Sequence, residues 1–380
     1  MNSKILVSSD KLASLIELEY SKCIDCKLCT KGCPMLDEFS DNPKKLLSQL
    51  NKDKSFDIEL PYACMLCGYC AEVCPKGVSF RDLFYEFRKQ SVKQYNGKLP
   101  GSLNTKGVDI HQKLSFSKIF SDSILGKNTE TIFFPGCSLL SNNPEMVMSA
   151  YNYLREVFPN CGYSNKCCGK PTEFLGKHEK FVSLMESLKS DFNKHGVKTI
   201  ITGCQNCYTC FKRNAPEFKT ISLYEVLGDS GVPDYAKNRF AETKLNAIIH
   251  DPCPTRTEDK IHEAVREILN QLGISYDEMS YNKHRTLCCG MGGMVFLTSK
   301  KIFEKHRDRR RQEAGSKTII TYCMECAETL QSEKLDSIHL LKLIFTDVDD
   351  IKTEKSSLAK SWFNRYRARK LAGEVINETK

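Results

Sequence analysis

No apolar run in these 380 residues approaches the roughly 18 that a membrane-spanning helix requires. The first residues, MNSKILVSSDKL, lack the basic-then-apolar pattern of a secretory signal. Together these absences make a reducing cytosol the expected compartment. Nucleotide and flavin fingerprints are missing as well, since no G-x-G-x-x-G follows a strand-like run. Tryptophan occurs once, at Trp362, and aromatics are not interleaved with Lys and Arg as in nucleic-acid platforms. What remains is a globular composition, 41% hydrophobic and 27% charged, long enough for two or three domains.

Cysteine is what the chain has in excess, with twenty residues. In a reducing compartment that number does not read as a disulfide framework, and the spacing points to metal. The formal charge of +9 suggests nucleic acid only until thiolates are counted. A four-iron cubane held by four thiolates carries about −2 when oxidised, so two of them offset about four charges. Nucleic acid is not an expected partner.

Residues 23–34 read CIDCKLCTKGCP and residues 64–75 read CMLCGYCAEVCP. Both are C-x2-C-x2-C-x3-C-P, the run of two-cluster bacterial ferredoxins. Three closely spaced thiolates wrap one cubane, and the fourth is aimed away by the proline-capped turn. Cys23, Cys26, Cys29 and Cys74 are therefore expected to hold one [4Fe–4S] cluster, and Cys64, Cys67, Cys70 and Cys33 the other. Zinc fits less well, because it favours two C-x2-C pairs and four ligands. Helices are expected at 10–20, with Asp10 as N-cap, and at 80–95, each with an apolar stripe that reads as core.

A second pattern follows. The chain reads KTIITGCQNC at 198–207 and KTIITYCMEC at 317–326, an offset of 119 residues. Each copy has the same order: a strand ending at Cys137 or Cys253, a helix (145–158 or 257–272), a CCG triplet, a second helix (177–195 or 294–314), and the matched strand with its C-x-x-C. The cysteines fall at strand C-terminal ends, where open α/β sheets assemble their sites. Each copy supplies five thiols: Cys137, Cys167, Cys168, Cys204 and Cys207, then Cys253, Cys288, Cys289, Cys323 and Cys326. Five is one more than a cubane or a zinc takes. Adjacent cysteines, about 3.8 Å apart at Cα, make a poor disulfide, but they can reach neighbouring irons of one cluster. A four-ligand site with a spare thiol is the other reading.

The arrangement C…CCG…CxxC, twice, resembles the cysteine-rich (CCG) domains of heterodisulfide reductase. With the ferredoxin runs in front, the order resembles its D subunit, over about residues 10–345. The resemblance implies a noncubane [4Fe–4S] cluster in each CCG motif, the pair splitting a disulfide, with Cys137, Cys168, Cys253 and Cys289 as the reacting cysteines. Similar domains occur in the iron–sulfur subunits of glycerol-3-phosphate, glycolate and lactate dehydrogenases. An electron relay for such a flavin enzyme is thus the alternative function.

The expected fold is an α+β multi-domain protein. An α-helical dicluster ferredoxin domain (1–105) and a linker (106–129) precede a duplicated α/β CCG domain (130–228 and 229–346), with a basic tail at 347–380. Four clusters, two cubane and two noncubane, are the expected cofactors. A small thiol or disulfide is the expected substrate. Electrons would pass to or from a flavoprotein, a hydrogenase or formate dehydrogenase module, or a membrane haem subunit, the chain being cytoplasmic or peripheral through such a partner.

The copies differ after the CC pair, with GMGGM at 290–294 against GKPTEF at 169–174, so the second site is expected to be more open. His250, His284 and Arg285 flank second-copy cysteines and are candidates for protons or an anionic substrate, though a solvated or core role fits each. Cys161 and Cys210 fit neither copy and read as bystanders. The segment KSWFNRYRARK reads either as a helix that docks a partner or an anionic membrane, or as an ordinary solvated helix.

Overall fold

A computed structural model of the chain describes residues 4–126, 129–243 and 245–377. It divides into two compact units. The first comprises the chain up to Asp109 together with Pro171–Phe181 and His284–Gln312; the second holds Ile110–Lys170, Val182–Lys283 and the remainder from Glu313. This division cuts across the linear order of domains expected above. The stretches that follow each CC pair leave the α/β unit and pack with the dicluster residues.

In the first unit, β1 (Lys4–Leu6) pairs antiparallel with β2 (Ser55–Asp57). The helix Asp10–Lys22 buries Leu12, Ile16 and Glu19. Its N-cap is Ser9, not Asp10: the Ser9 hydroxyl accepts the Leu12 N–H at 3.3 Å, and Asp10 sits in the first turn, where its charge suits the helix dipole. Buried Glu19 accepts the Ser79 N–H at 2.7 Å, which ties this helix to the start of the next. Ser79 caps that helix, Phe80–Gln94, whose Phe80, Leu83, Phe84 and Phe87 are buried. Phe87 stacks on Phe56 of β2 at 4.0 Å between ring centroids. The helix expected over 294–314 breaks into Val295–Thr298 and Lys300–Ala314, with Met294 left-handed at φ 61° and the Thr298 hydroxyl donating to the Tyr62 carbonyl at 2.6 Å.

The second unit contains two sheets. β3 (Ser123–Ile124), β4 (Thr131–Phe134), β5 (Gly162–Ser164), β6 (Thr199–Thr202) and β7 (Lys219–Ser222) run in the order β3-β5-β4-β6-β7, parallel except for β3. β8 (Ala247–His250), β9 (Tyr276–Glu278), β10 (Thr318–Thr321) and β11 (Ser337–His339) run in the order β11-β10-β8-β9, all parallel. The two KTIIT stretches are β6 and β10. Their registers correspond: Phe134 opposes Thr202, and His250 opposes Thr321. Ile201, Ile249 and Ile320 are buried in one core that runs through both copies, because helices cover the sheet faces.

Two expectations are corrected here. The described part of 106–129 is not a plain linker, since it holds the helix Lys106–Leu114 and the edge strand β3. The described part of 347–380 is not a tail; residues 378–380 lie outside the described residues. The helix Leu358–Asn377 packs along Cys137–Asn142 and Pro144–Val157, burying Asn364, Arg365, Ala368 and Ala372. These positions recur at helical spacing, and the small alanines allow the close approach. Among the described residues no helix is long and apolar enough to cross a membrane.

Candidate metal centres

Both ferredoxin-like runs adopt the same backbone. Asp25 and Leu66, each just before the second cysteine of its run, have φ of 58° and 51°. Lys27 and Gly68, just after that cysteine, have φ of 58° and 78°. A left-handed non-glycine residue costs on the order of 1 kcal/mol, so a repeated set of them marks a backbone shaped around something. Cys23, Cys26, Cys29, Cys70 and Cys74 line one small enclosed cavity with Asp25, Pro43, Val78 and Phe80. Burial, then the neighbouring Cys70 and Cys23, pushes the Cys29 thiol up to about 12. The Cys33 thiol is likewise raised by burial, then by Cys67, Cys64 and Cys70. Cys74 of the second run thus stands with the first run, and Cys33 of the first run stands with the second. Cys70 borders both sets.

The loop of the second run is gripped by Arg88. This guanidinium is fully buried and donates to four carbonyls: Pro61 at 2.9 Å, Cys64 at 2.7 Å, Phe174 at 2.6 Å and Gly293 at 2.6 Å. Phe174 lies six residues after Cys168 and Gly293 four after Cys289, so one side chain holds both post-CC segments. The glycines of GMGGM are there for contact. A Cβ on Gly293 would lie 2.5 Å from the Cys64 carbonyl, and one on Gly292 would lie 2.5 Å from the Met65 carbonyl and 3.2 Å from the Cys288 sulfur. The expected openness of this loop is corrected, because the absent side chains admit the Cys64–Met65 backbone.

In the second unit, β4 and β6 deliver the first copy's thiols side by side. Gly136, at φ 90°, lets the Cys137 turn approach: a Cβ there would lie 2.5 Å from Cys204 Cβ and 3.3 Å from Cys207 Sγ. Cys167 shares hydrogen bonds with both Cys137 and Cys168, and Cys168 with Cys207 and Cys210. All five expected thiols of this copy are therefore brought together. Cys210 joins them as a sixth, its Sγ 3.4 Å from the Cys168 carbonyl, whereas Cys161 stays in the core beneath Tyr151. The corresponding second-copy position is Thr329, so only the first copy has this extra thiol.

The second copy's thiols are divided between the units. Cys253, Cys323 and Cys326 follow the ends of β8 and β10 in the second unit, and Cys288 and Cys289 belong to the first. In the first unit the buried His306 ring lies in the field of the Cys288 thiol, its pKa lowered by burial. His284 Nδ1 is 3.5 Å from the Glu72 carboxylate, Arg285 is exposed, and His250 is buried on β8.

The donor sets fit iron–sulfur clusters. Burial raises the thiols Cys29, Cys33 and Cys64 of the ferredoxin-like runs, and an iron core would stabilise their thiolate forms. Comparison with known proteins agrees. Residues 19–78 match the 4Fe-4S dicluster domain, and residues 131–212 and 247–331 match the cysteine-rich CCG domain. The chain is a CCG-domain iron–sulfur protein like the D subunit of heterodisulfide reductase.

Among similar proteins is an uncharacterized iron–sulfur protein of Methanococcus maripaludis, 27% identical over 340 residues, which are 80% of this chain and 66% of that one. The B subunit of fumarate reductase (CoM/CoB) from Methanothermobacter marburgensis is 25% identical over 354 residues, covering 85% and 70%. The D subunit of dihydromethanophenazine:CoB–CoM heterodisulfide reductase from Methanosarcina mazei is 24% identical over 343 residues, covering 76% and 82%. The chain is accordingly an iron–sulfur oxidoreductase subunit.

Several residues of this CCG protein's centres were not evident from motif spacing. His111 comes from the segment read as a linker, and its ring nitrogen lies within 4.8 Å of the Cys137 and Cys167 sulfurs. Glu325, inside the second C-x-x-C, accepts a hydrogen bond from Ser138, next to Cys137, so the two copies' motifs meet in this unit. Burial raises the Glu325 carboxyl. Arg365 lies in the basic segment around Trp362. The one available signal was the doubled motif itself, which identifies ligands but not the neighbours packed on them.

Proposed function

We propose that this chain takes electrons one at a time through its dicluster domain and delivers them to two CCG centres that reduce a disulfide. Bound clusters supply one-electron storage and transfer. The residues do the rest. The first run is the side where electrons enter, because Cys26 is exposed and flanked by exposed Ile24 and Leu28, at 55% and 38%, a surface on which an electron-donor subunit can sit. A flavoprotein, a hydrogenase or formate dehydrogenase module, or a membrane haem subunit would each serve as donor.

The observation that carries the reading is the Cys64–Met65 loop seated on the glycines beside Cys288. Arg88 fixes this junction, so the ligand loop of one cubane and the second CC pair share a packed backbone contact. Eighteen cysteines are assigned as ligands: the eight of the ferredoxin runs and five in each copy. Cys137, Cys168, Cys253 and Cys289 are the cysteines assigned to the reacting edge of the CCG centres. Reducing a disulfide takes two electrons and two protons and yields two thiols, which gives two CCG copies a chemical purpose. Two of the relatives named above carry CoM/CoB in their names, in keeping with thiol chemistry.

The test is anaerobic turnover of a panel of disulfides with a reduced viologen dye, alongside iron analysis expecting about sixteen irons. Turnover with at least one disulfide supports the reductase reading. Electron transfer from a flavin partner to a quinone, with no disulfide turned over, would leave a relay in its place.

A further inference from the structure

Arg365 is an arginine with almost no access to water, 1% exposed, on a helix that lies outside both CCG matches. Its Nη2 donates to the Asn165 carbonyl at 3.4 Å, two residues ahead of Cys167. Its Nε and Nη1 have no hydrogen-bond partner. The neighbouring Asn364 fastens the same turn of helix to the far end of the Cys137 helix, donating to the Ser141 and Asn142 carbonyls at 2.9 and 3.3 Å. The guanidinium stands 5.0 Å over the Trp362 ring, and that ring packs on His111 at 5.5 Å and Phe120 at 5.0 Å. A buried cation with two orphaned N–H groups is costly to hold unless an anion faces it. Its charge reaches Cys137 and the Tyr163 hydroxyl, and across the Trp362 ring stands His111, whose ring nitrogen lies within 4.8 Å of the Cys137 and Cys167 sulfurs.

We propose that Arg365 is the fixed counter-charge of the first CCG centre, and that the C-terminal helix is a structural part of that centre. This rests on the reading that the first-copy thiols hold a cluster. Arg365 is a positioning residue: it is too enclosed to meet a free substrate, with the Trp362 ring over its guanidinium. Its field also reaches the Cys137 sulfur. A buried positive charge beside a cluster favours the reduced, more negative state, so it raises the reduction potential of that centre.

The experiment is a redox titration of the full chain under anaerobic conditions, followed by electron paramagnetic resonance, for wild type, Arg365→Met and Arg365→Lys. Cys168→Ser identifies the first-copy signal by deleting it. In Arg365→Met that centre should become harder to reduce, its reduced-to-oxidised ratio falling at least about tenfold at fixed potential (~59 mV for one electron). Arg365→Lys should recover most of the shift, and the other centres should stay where they were. If Arg365→Met assembles without the centre, Arg365→Lys decides alone: a wild-type-like potential supports the counter-charge, and loss of the centre there too overturns it. An unmoved potential in Arg365→Met overturns this inference while leaving the cluster reading intact. Wild-type protein with no centre beyond the dicluster pair would overturn both.

Discussion

Replacing Arg88 by Met removes the charge and all four hydrogen bonds while nearly keeping the volume, so the loss isolates the polar network. Each bond from a charged donor to a buried carbonyl is worth roughly 1.5–3 kcal/mol. Against this stands burial, which lowers the guanidinium pKa from 12.5 to about 10, a penalty of about 3 kcal/mol at 1.36 per unit. The side chain still carries its charge at neutral pH. The balance favours the native network by roughly 3–9 kcal/mol, and the substitution also orphans buried carbonyls at Pro61, Cys64, Phe174 and Gly293. Urea unfolding followed by circular dichroism should show that loss in Arg88→Met and about half of it in Arg88→Lys, which keeps the charge but fewer donors. The first unit should report it, because every partner lies there. Under the proposed electron route, reduction of the second CCG centre through the dicluster should also slow. A stability loss below about 1 kcal/mol would refute the claim that this guanidinium holds the junction together.

Gly136→Ala should abolish the first CCG centre while leaving both dicluster signals in the paramagnetic resonance spectrum, since the new Cβ would meet Cys204 Cβ at 2.5 Å on a backbone at φ 90°. Cys74→Ser should damage the cluster built on Cys23, Cys26 and Cys29, and Cys33→Ser the one on Cys64, Cys67 and Cys70; the opposite pairing in the spectra would refute crossed ligation. Buried His339 accepts the Leu341 N–H at Nδ1 and faces the Tyr224 hydroxyl with Nε2, and burial, with Lys342 adding to it, lowers its pKa from 6.5 to about 3. The unfolded chain therefore binds a proton that the folded one refuses as pH falls below 6.5, and stability drops down to about pH 3, by up to roughly 5 kcal/mol. His339→Asn, which keeps a capping acceptor, should flatten that acid limb in unfolding measured from pH 7 to 4; an unchanged slope would exclude His339 as its source.

The sequence alone determined the chemistry of the ligands. Two C-x2-C-x2-C-x3-C-P runs and a twice-written C…CCG…CxxC point to the thiols proposed as ligands, because such spacings encode local loops. The β-branched run TIIT did the same for β6 and β10, buried at three of its four positions in sheets that sit between helices. What the sequence did not disclose is which distant segments press on those loops. The stretches after Cys168 and Cys289 join the dicluster unit because Arg88 bonds to their carbonyls, and backbone carbonyls carry no residue signature. GMGGM reads as openness until Met65 and Cys64 are found against it. The helix carrying Arg365 reads as a basic tail, since helical spacing of Asn364, Arg365, Ala368 and Ala372 does not say what lies opposite. Local covalent spacing is written in the chain, while the charge and packing around a centre come from residues hundreds of positions apart, and only the folded structure brings them together.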